Sequence, residues 1–308
     1  MNTQSDNTAE SAGVSLRGYT SSSTQPFYWS VRRELWENRS IYVAPLIVAA
    51  VALLGFFIST GGMPHRRQAV LSLDPAHQRA VIGVPYDVAA MMLIVTAFMV
   101  GVFYCLDALH SERRDRSILF WKSLPVSDLT TVLSKASIPF VILPVIIFAI
   151  IVVVQFLMLV WSSVVLLSSG LAGTTWTRFN LFQQSLILVY SLIVIVLWHA
   201  PIYSWALLIS GWARRATFLW AVLPFLAIAV LEKLAFDTSY FASMLKNRVF
   251  GAGDTAFAFL PHRGVAIDSL VQLTPGRYLA TPGLWIGLAF AAAFLAIAVR
   301  QRRYQGPI

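Results

Sequence analysis

VAAMMLIVTAFMVGVFYCLDALHSERRDRSILFWKSLPVSD, residues 88–128, changes character once. Residues 88–109 carry one charged side chain, Asp107, in a stretch long enough to cross a hydrocarbon core as a helix. Residues 110–116 (HSERRDR) are then polar throughout, ILFW (118–121) is apolar, and Lys122, Leu124 and Pro125 precede a Ser127-Asp128 pair suited to cap the next helix. A continuous apolar run closed by a dense charged segment is a spanning helix meeting a membrane surface. It sets the fold class as a polytopic α-helical membrane protein.

The rest of the chain repeats the pattern. Of 308 residues, 57% are hydrophobic and 12% charged, and mean hydropathy is +0.70. A soluble domain carries about 25% charged residues. Six spans are expected, at about 41–59, 88–109, 130–163, 185–209, 217–236 and 282–299. The third is long enough to start as an interfacial helix and turn inward near Pro139 or Pro144. The runs do not alternate as barrel strands would. Pro45, Pro139, Pro144, Pro201 and Pro224 fall inside spans and read as determinants of helix shape.

An even number of spans puts both termini on one side. The segments of that side hold Arg17, Arg32, Arg33, Arg39, Arg113, Arg114, Arg116, Lys122, Arg214, Arg215, Arg300, Arg302 and Arg303. The longer opposite loops hold fewer basic residues, with Arg66 and Arg67 a local exception. The excess predicts cytoplasmic termini. The net charge of +9 therefore reflects topology, and no nucleic-acid partner is expected. Residues 1–26 are Ser/Thr-rich with no apolar core of a signal peptide and read as a disordered tail; 304–308 form a second tail. The loop at about 237–281 holds FASMLKNRVF (241–250) and GAGD (251–254). It is expected to form one or two short helices that dip back toward the membrane. Cys105, the only cysteine, permits no internal disulfide.

Motifs for chemistry are sparse. The four lysines, Lys122, Lys135, Lys233 and Lys246, none of them after a glycine, leave no phosphate-cradling G-x-x-x-x-G-K-[ST] loop, so any ATP would be bound by another chain. H-E-x-x-H and G-x-S-x-G are absent, and no metal site is expected. His199 and Asp107 are the candidate polar sites within the membrane. His199 precedes Pro201, whose missing N–H frees the Leu197 carbonyl, and is expected to bond a freed carbonyl or a neighbouring helix. Asp107 can reach water or a basic residue. Glu232 and Lys233 read as snorkelling residues. Small residues recur every four positions at Ala97, Gly101 and Cys105 and at Gly283, Gly287 and Ala291, marking packing faces within the protomer or a dimer seam.

Two segments look interfacial. PFYWSVRRELWENRS (26–40) places Phe27, Val31 and Leu35 on one face, with Trp29 and Trp36 suited to headgroup level and Arg32, Arg33, Glu34, Glu37 and Arg39 mostly in other directions. It reads as an amphipathic helix on the inner leaflet. In 110–128, Ile118, Leu119, Phe120 and Trp121 cover a full turn, so one interface cannot bury them all. The residues leave open a helix that docks a soluble partner and one that only lies on lipid.

DRSILFWKSLPVSDLTTVLSKA (115–136), FYWSVRRELWENRS (27–40) and LWHAPIYSWALLISGWARRATFLWAVLPFLAIAVLE (197–232) resemble bacterial ABC-2-type transporter permeases, a likeness that covers most of residues 27–303. The resemblance implies a permease domain over 27–303, in the bacterial inner membrane, paired with a separate ABC ATPase subunit that binds ATP and magnesium. It also implies a second permease, as homodimer or heterodimer. Residues 28–39 would be an elbow helix (Trp29, Arg32, Arg33, Glu34, Trp36). Residues 110–125 would be the coupling helix, with Glu112, Arg113, Arg114, Asp115, Arg116, Ser117, Phe120, Trp121 and Lys122 at the ATPase joint. The implied activity is export of a hydrophobic or amphiphilic substrate, without an ATPase site or cofactor on this chain. Without the resemblance, a polytopic membrane enzyme and an ATP-independent sensor or immunity protein stay open.

Overall fold

The computed structural model describes residues 24–119, 126–258 and 269–304. Among these the regular structure is helical, apart from one isolated antiparallel bridge between Phe257 and Leu273. Six helical stretches are long and apolar enough to cross a membrane, so the chain has the architecture of a multi-pass helical membrane protein. The helices are α1 (Thr24–Glu37), α2 (Ser40–Ser59), α3 (Met63–Leu71), α4 (Pro75–Ala108), α5 (His110–Arg114), α6 (Asp128–Ser137), α7 (Leu143–Leu166), α8 (Thr174–Arg178), α9 (Leu181–Trp212), α10 (Thr217–Phe236), α11 (Tyr240–Phe250), α12 (Ala252–Ala256), α13 (Pro275–Leu279) and α14 (Pro282–Tyr304). Most of residues 1–26, and residues 305–308 of the second expected tail, lie outside the described residues.

The spans match the apolar runs except where polar residues dilute them. Helix α4 starts at Pro75 rather than near residue 88 and has 34 residues; α9 has 32. At 1.5 Å per residue both are about 50 Å long, well beyond a hydrocarbon core of about 30 Å. The extra turns of α4 support a cap of short helices at the far end of the bundle. Gln78 Nε2 donates to the carbonyls of Leu71 (3.0 Å) and Leu73 (2.7 Å), closing the turn after α3. Tyr86 stacks on Phe179 at 4.3 Å and shares a 3.0 Å hydrogen bond with Ser162 of α7. Arg66 is exposed, but Arg67 is folded inward, where burial holds its guanidinium below the ordinary arginine value.

The third span joins α6 to α7 without a break. Ser127 caps α6, its hydroxyl accepting from the Thr130 amide at 3.0 Å. The turn expected near Pro139 is taken as one π-helical turn, Ile138–Ile142, which absorbs the N–H that Pro139 cannot supply.

Close approach inside the bundle depends on missing side chains. A Cβ on Gly101 would lie 3.0 Å from the Tyr203 ring and 3.4 Å from Leu143. At Gly287 it would run into the Arg248 guanidinium, which also donates to the Gly283 carbonyl at 3.0 Å. Both small-residue faces are thus used within the chain.

The segment after α10 returns alongside the middle of α9. Glu232 takes the N-terminus of α11, accepting from the amides of Tyr240 (2.7 Å) and Phe241 (2.8 Å) and from the Thr238 hydroxyl (2.9 Å). This is a capping role, not the snorkelling expected from sequence. Val194 and Trp198 of α9 then pack with Ala252, Ala256, Phe257, Tyr278 and Leu284 in a second apolar core.

Replacing Gly101 with Val is expected to lower stability by about 1–3 kcal/mol through overpacking against Tyr203. Comparing unfolding of purified Gly101→Val and wild type in one detergent checks this.

Candidate functional site: a buried charge cluster at the basic end

Lys135 is one of the largest fully buried side chains of the protein. It lies one turn before the π-helical turn, at the end of the bundle where α1, α6 and the C-terminal end of α14 meet. Its Nζ donates to Glu34 Oε1 at 2.7 Å and lies 3.1 Å from Glu112 Oε1. Glu34 Oε2 accepts from the Tyr104 hydroxyl at 2.8 Å. Glu112 Oε2 pairs with Arg302 Nη1, and Arg302 Nε lies 3.2 Å from Asp128 Oδ1. Arg33 Nη2 approaches Glu112 at 4.0 Å. Lys135, Arg302 and Arg33 thus balance Glu34, Glu112 and Asp128.

The elements place these groups for local reasons. Glu34 shares a helix face with Val31 and Leu35, which pack on the main core, so the face of α1 that meets α6 carries one carboxylate among apolar residues. The opposite face is open. Trp29 and Trp36 are well exposed, with the Arg32 guanidinium 5.2 and 4.9 Å from their ring centres. Asp128, in the first turn of α6, also sits favourably at a helix N-terminus.

Segment 109–113 is tied to α9 as well. Arg113 Nη1 donates to the Gly211 carbonyl at 2.5 Å, His110 Nδ1 lies 3.2 Å from the Ala213 carbonyl, and the Leu109 amide donates to Ser210 Oγ at 3.3 Å. Carbonyls at a helix C-terminus lack intrahelical partners, and a cation there is doubly favourable. Helix α5 therefore contacts α1, α6, α9 and α14 through two adjacent side chains, Glu112 and Arg113.

Of the residues read from sequence as a docking surface, Glu112 and Arg113 are buried, while Arg114, Asp115 and Arg116 are exposed. Arg114 Nε bonds Asp115 at 3.1 Å. Arg116 has φ 57°, a left-handed conformation in which the chain turns sharply after α5. Ser117 is half-buried, with its hydroxyl 3.4 Å from the Glu112 carbonyl, and Ile118 is buried. Phe120, Trp121 and Lys122 lie outside the described residues.

His199 and Asp107 are not brought together. His199 is buried, its Nδ1 2.8 Å from the Ile195 carbonyl and its Nε2 3.0 Å from the Val249 carbonyl of α11. It ties the returning segment to α9, and it bonds Ile195 rather than the Leu197 carbonyl freed by Pro201. Asp107 is exposed on α4, near the basic end.

Sequence reading missed Lys135 and Tyr104, the ion pairing of Asp128 and the inward role of Arg302. The available signal was a lysine inside a span otherwise almost free of charge; Arg302 was hidden among the flanking arginines of α14. No family model, curated protein or solved structure matches this chain.

Taking ions out of water costs several kcal/mol each, and removing one member of a buried pair leaves that cost uncompensated. Lys135→Met should lower stability by about 3–5 kcal/mol, because Glu34 loses its cation. Adding Glu34→Gln should restore part of the loss. Unfolding titrations of wild type, the single variant and the double variant measure both effects.

Proposed function

We propose that this chain is the membrane-spanning permease subunit of an ATP-binding cassette exporter for a hydrophobic or amphiphilic substrate. A separate ATPase subunit, holding ATP and magnesium, would drive it. The observation that carries this reading is the attachment of the segment between the second and third spans. That segment presents Arg114, Asp115 and Arg116 outward and anchors Glu112 and Arg113 inward to four other helices. A coupling helix needs both: a surface for the motor and a stiff connection to the spans, so that differential binding energy at one is felt at the other. The resemblance of residues 115–136, 27–40 and 197–232 to ABC-2-type permeases supports the same assignment. In this reading α1 is the elbow helix, with Trp29 and Trp36 in the headgroup region. Both termini are cytoplasmic, the protein resides in the bacterial inner membrane, and a second permease completes the transporter. The separation of His199 from Asp107 weighs against a membrane enzyme built on those two groups.

Co-expression with the ATPase subunit encoded beside it is expected to yield a stoichiometric complex whose ATP hydrolysis exceeds that of the ATPase alone. Changing Arg114 and Arg116 together to Glu should leave membrane insertion and thermal stability intact and abolish the stimulation. Full stimulation in the double variant, or no complex with wild type, would overturn the assignment.

A further inference from the structure

A groove of about 460 Å³ opens between the α1–α2 junction and α4. Its volume falls within the range of small-molecule sites, about 300–1,000 Å³. Its two ends differ in chemistry. Asn38, Ser40 and Asp107 line the end nearest the buried charge cluster, while Val95, Met99 and Phe103 of α4 line the wall leading away from it. These three apolar side chains are each between two-fifths and three-fifths exposed. From Val95 to Asp107 the groove follows α4 for about 18 Å.

Among the described residues, Asp107 is the only charged one in the lining. Among the described residues no hydrogen bond or ion pair engages its carboxylate. Arg114 acts on it through space but gives its own hydrogen bond to Asp115. Two of the polar side chains nearby bond elsewhere. The Tyr104 hydroxyl turns away to Glu34, and the Asn38 amide donates to the Glu34 carbonyl at 3.1 Å. The surrounding surface at this end is basic, with Arg39, Arg116, Arg214 and Arg215 all exposed. A carboxylate with no bonded partner among the described residues, at the head of an apolar channel, therefore reverses the local preference of that surface for anions.

We propose that this groove binds a cationic amphiphile, with its ammonium or similar head on Asp107 and its apolar chain along Val95, Met99 and Phe103. This rests on the permease reading and names a substrate class for it, drawn from the leaflet at the basic end. A fatty acid or other anionic amphiphile would place its head against a carboxylate, and an uncharged one would leave that carboxylate unused.

The test uses the chain alone, in phosphatidylcholine nanodiscs, with a spin-labelled alkyltrimethylammonium as probe. An alkyl phosphate and an alkyl glucoside of equal chain length serve as controls. Binding of the cation should saturate and exceed that of both controls. Asp107→Asn should weaken cation binding about tenfold, the scale of losing one charge-assisted contact, and leave the glucoside unchanged. Met99→Trp, which fills the channel, should weaken all three. Asp107 is exposed and unbonded, so the Asn variant is expected to melt as wild type does. Equal binding of the cation by wild type and Asp107→Asn, or tighter binding of the phosphate, would overturn the proposal. No ATPase is present in this experiment. Binding without ATPase stimulation would remove only the permease assignment, and stimulation without selective binding would remove only the groove.

Discussion

An ammonium held between two carboxylates at the edge of an apolar bundle constrains everything around it. Lys135 is accommodated at that depth only while Glu34 is beside it, Glu112 is within 3.1 Å and Arg302 balances the second carboxylate. These residues come from α1, α5, α6 and α14, and one bonded pair, Glu112 and Arg302, is 190 positions apart in sequence. A buried ionic cluster rarely adds much net stability compared with a well-packed apolar replacement; its best-attested use is to fix register. Lipid-facing helices need such a device, because bilayer and bundle core are equally apolar and burial alone does not choose one helix packing over another. Here the charges specify which helix ends meet, and the apolar contacts follow.

The other polar side chains among the spans answer a related problem. Backbone amides and carbonyls at a helix end have no intrahelical partners, and hydrocarbon offers none. A segment that returns among the spans as short helices creates several such ends. Glu232 takes the amides at the start of α11. His199 and the Trp198 indole engage the carbonyls of Val249 and Asn247 near its end. The Tyr278 hydroxyl donates to the Val194 carbonyl at 3.0 Å, fixing α13 against α9. At Gly251, where the chain leaves α11, a Cβ would stand 2.5 Å from the Asn247 carbonyl oxygen, so the tight turn depends on glycine.

How much of this was legible in the sequence follows from which physics each feature uses. Span existence depends on composition, and the six apolar runs show it directly. Span length depends on tertiary cover. Residues 75–87 (PAHQRAVIGVPYD) are too mixed to read as a span, yet they extend α4 because α3 and Phe179 pack on them. The Ser127 cap was readable because it is local. Lys135 was visible as a lone charge in its span, but its partners Glu34 and Glu112, and those of Arg302, were not, because pairing between distant segments leaves no local trace. Asp107 was visible as a charge in an apolar run, but its isolation from His199 and its place at the head of a groove required the folded chain. Phe120, Trp121 and Lys122, the aromatic and basic core of the segment between the second and third spans, lie outside the described residues.

The arrangement of α5 explains how so short an element can serve a mechanical joint under the proposed function. Five helical residues make little more than one turn, and consecutive side chains in a helix point about 100° apart. Glu112 and Arg113 therefore take neighbouring inward directions, and Arg114 is carried round to the surface. The left-handed Arg116 then ends the turn. Under that function a force applied at Arg114 would reach Lys135 and Arg302 through Glu112, and the end of α9 through Arg113. Because those helices are joined by ion pairs and, at α9, by hydrogen bonds, under that function they would respond as one body rather than singly, which is the condition for converting a small shift at a docking surface into a rigid-body tilt of spans.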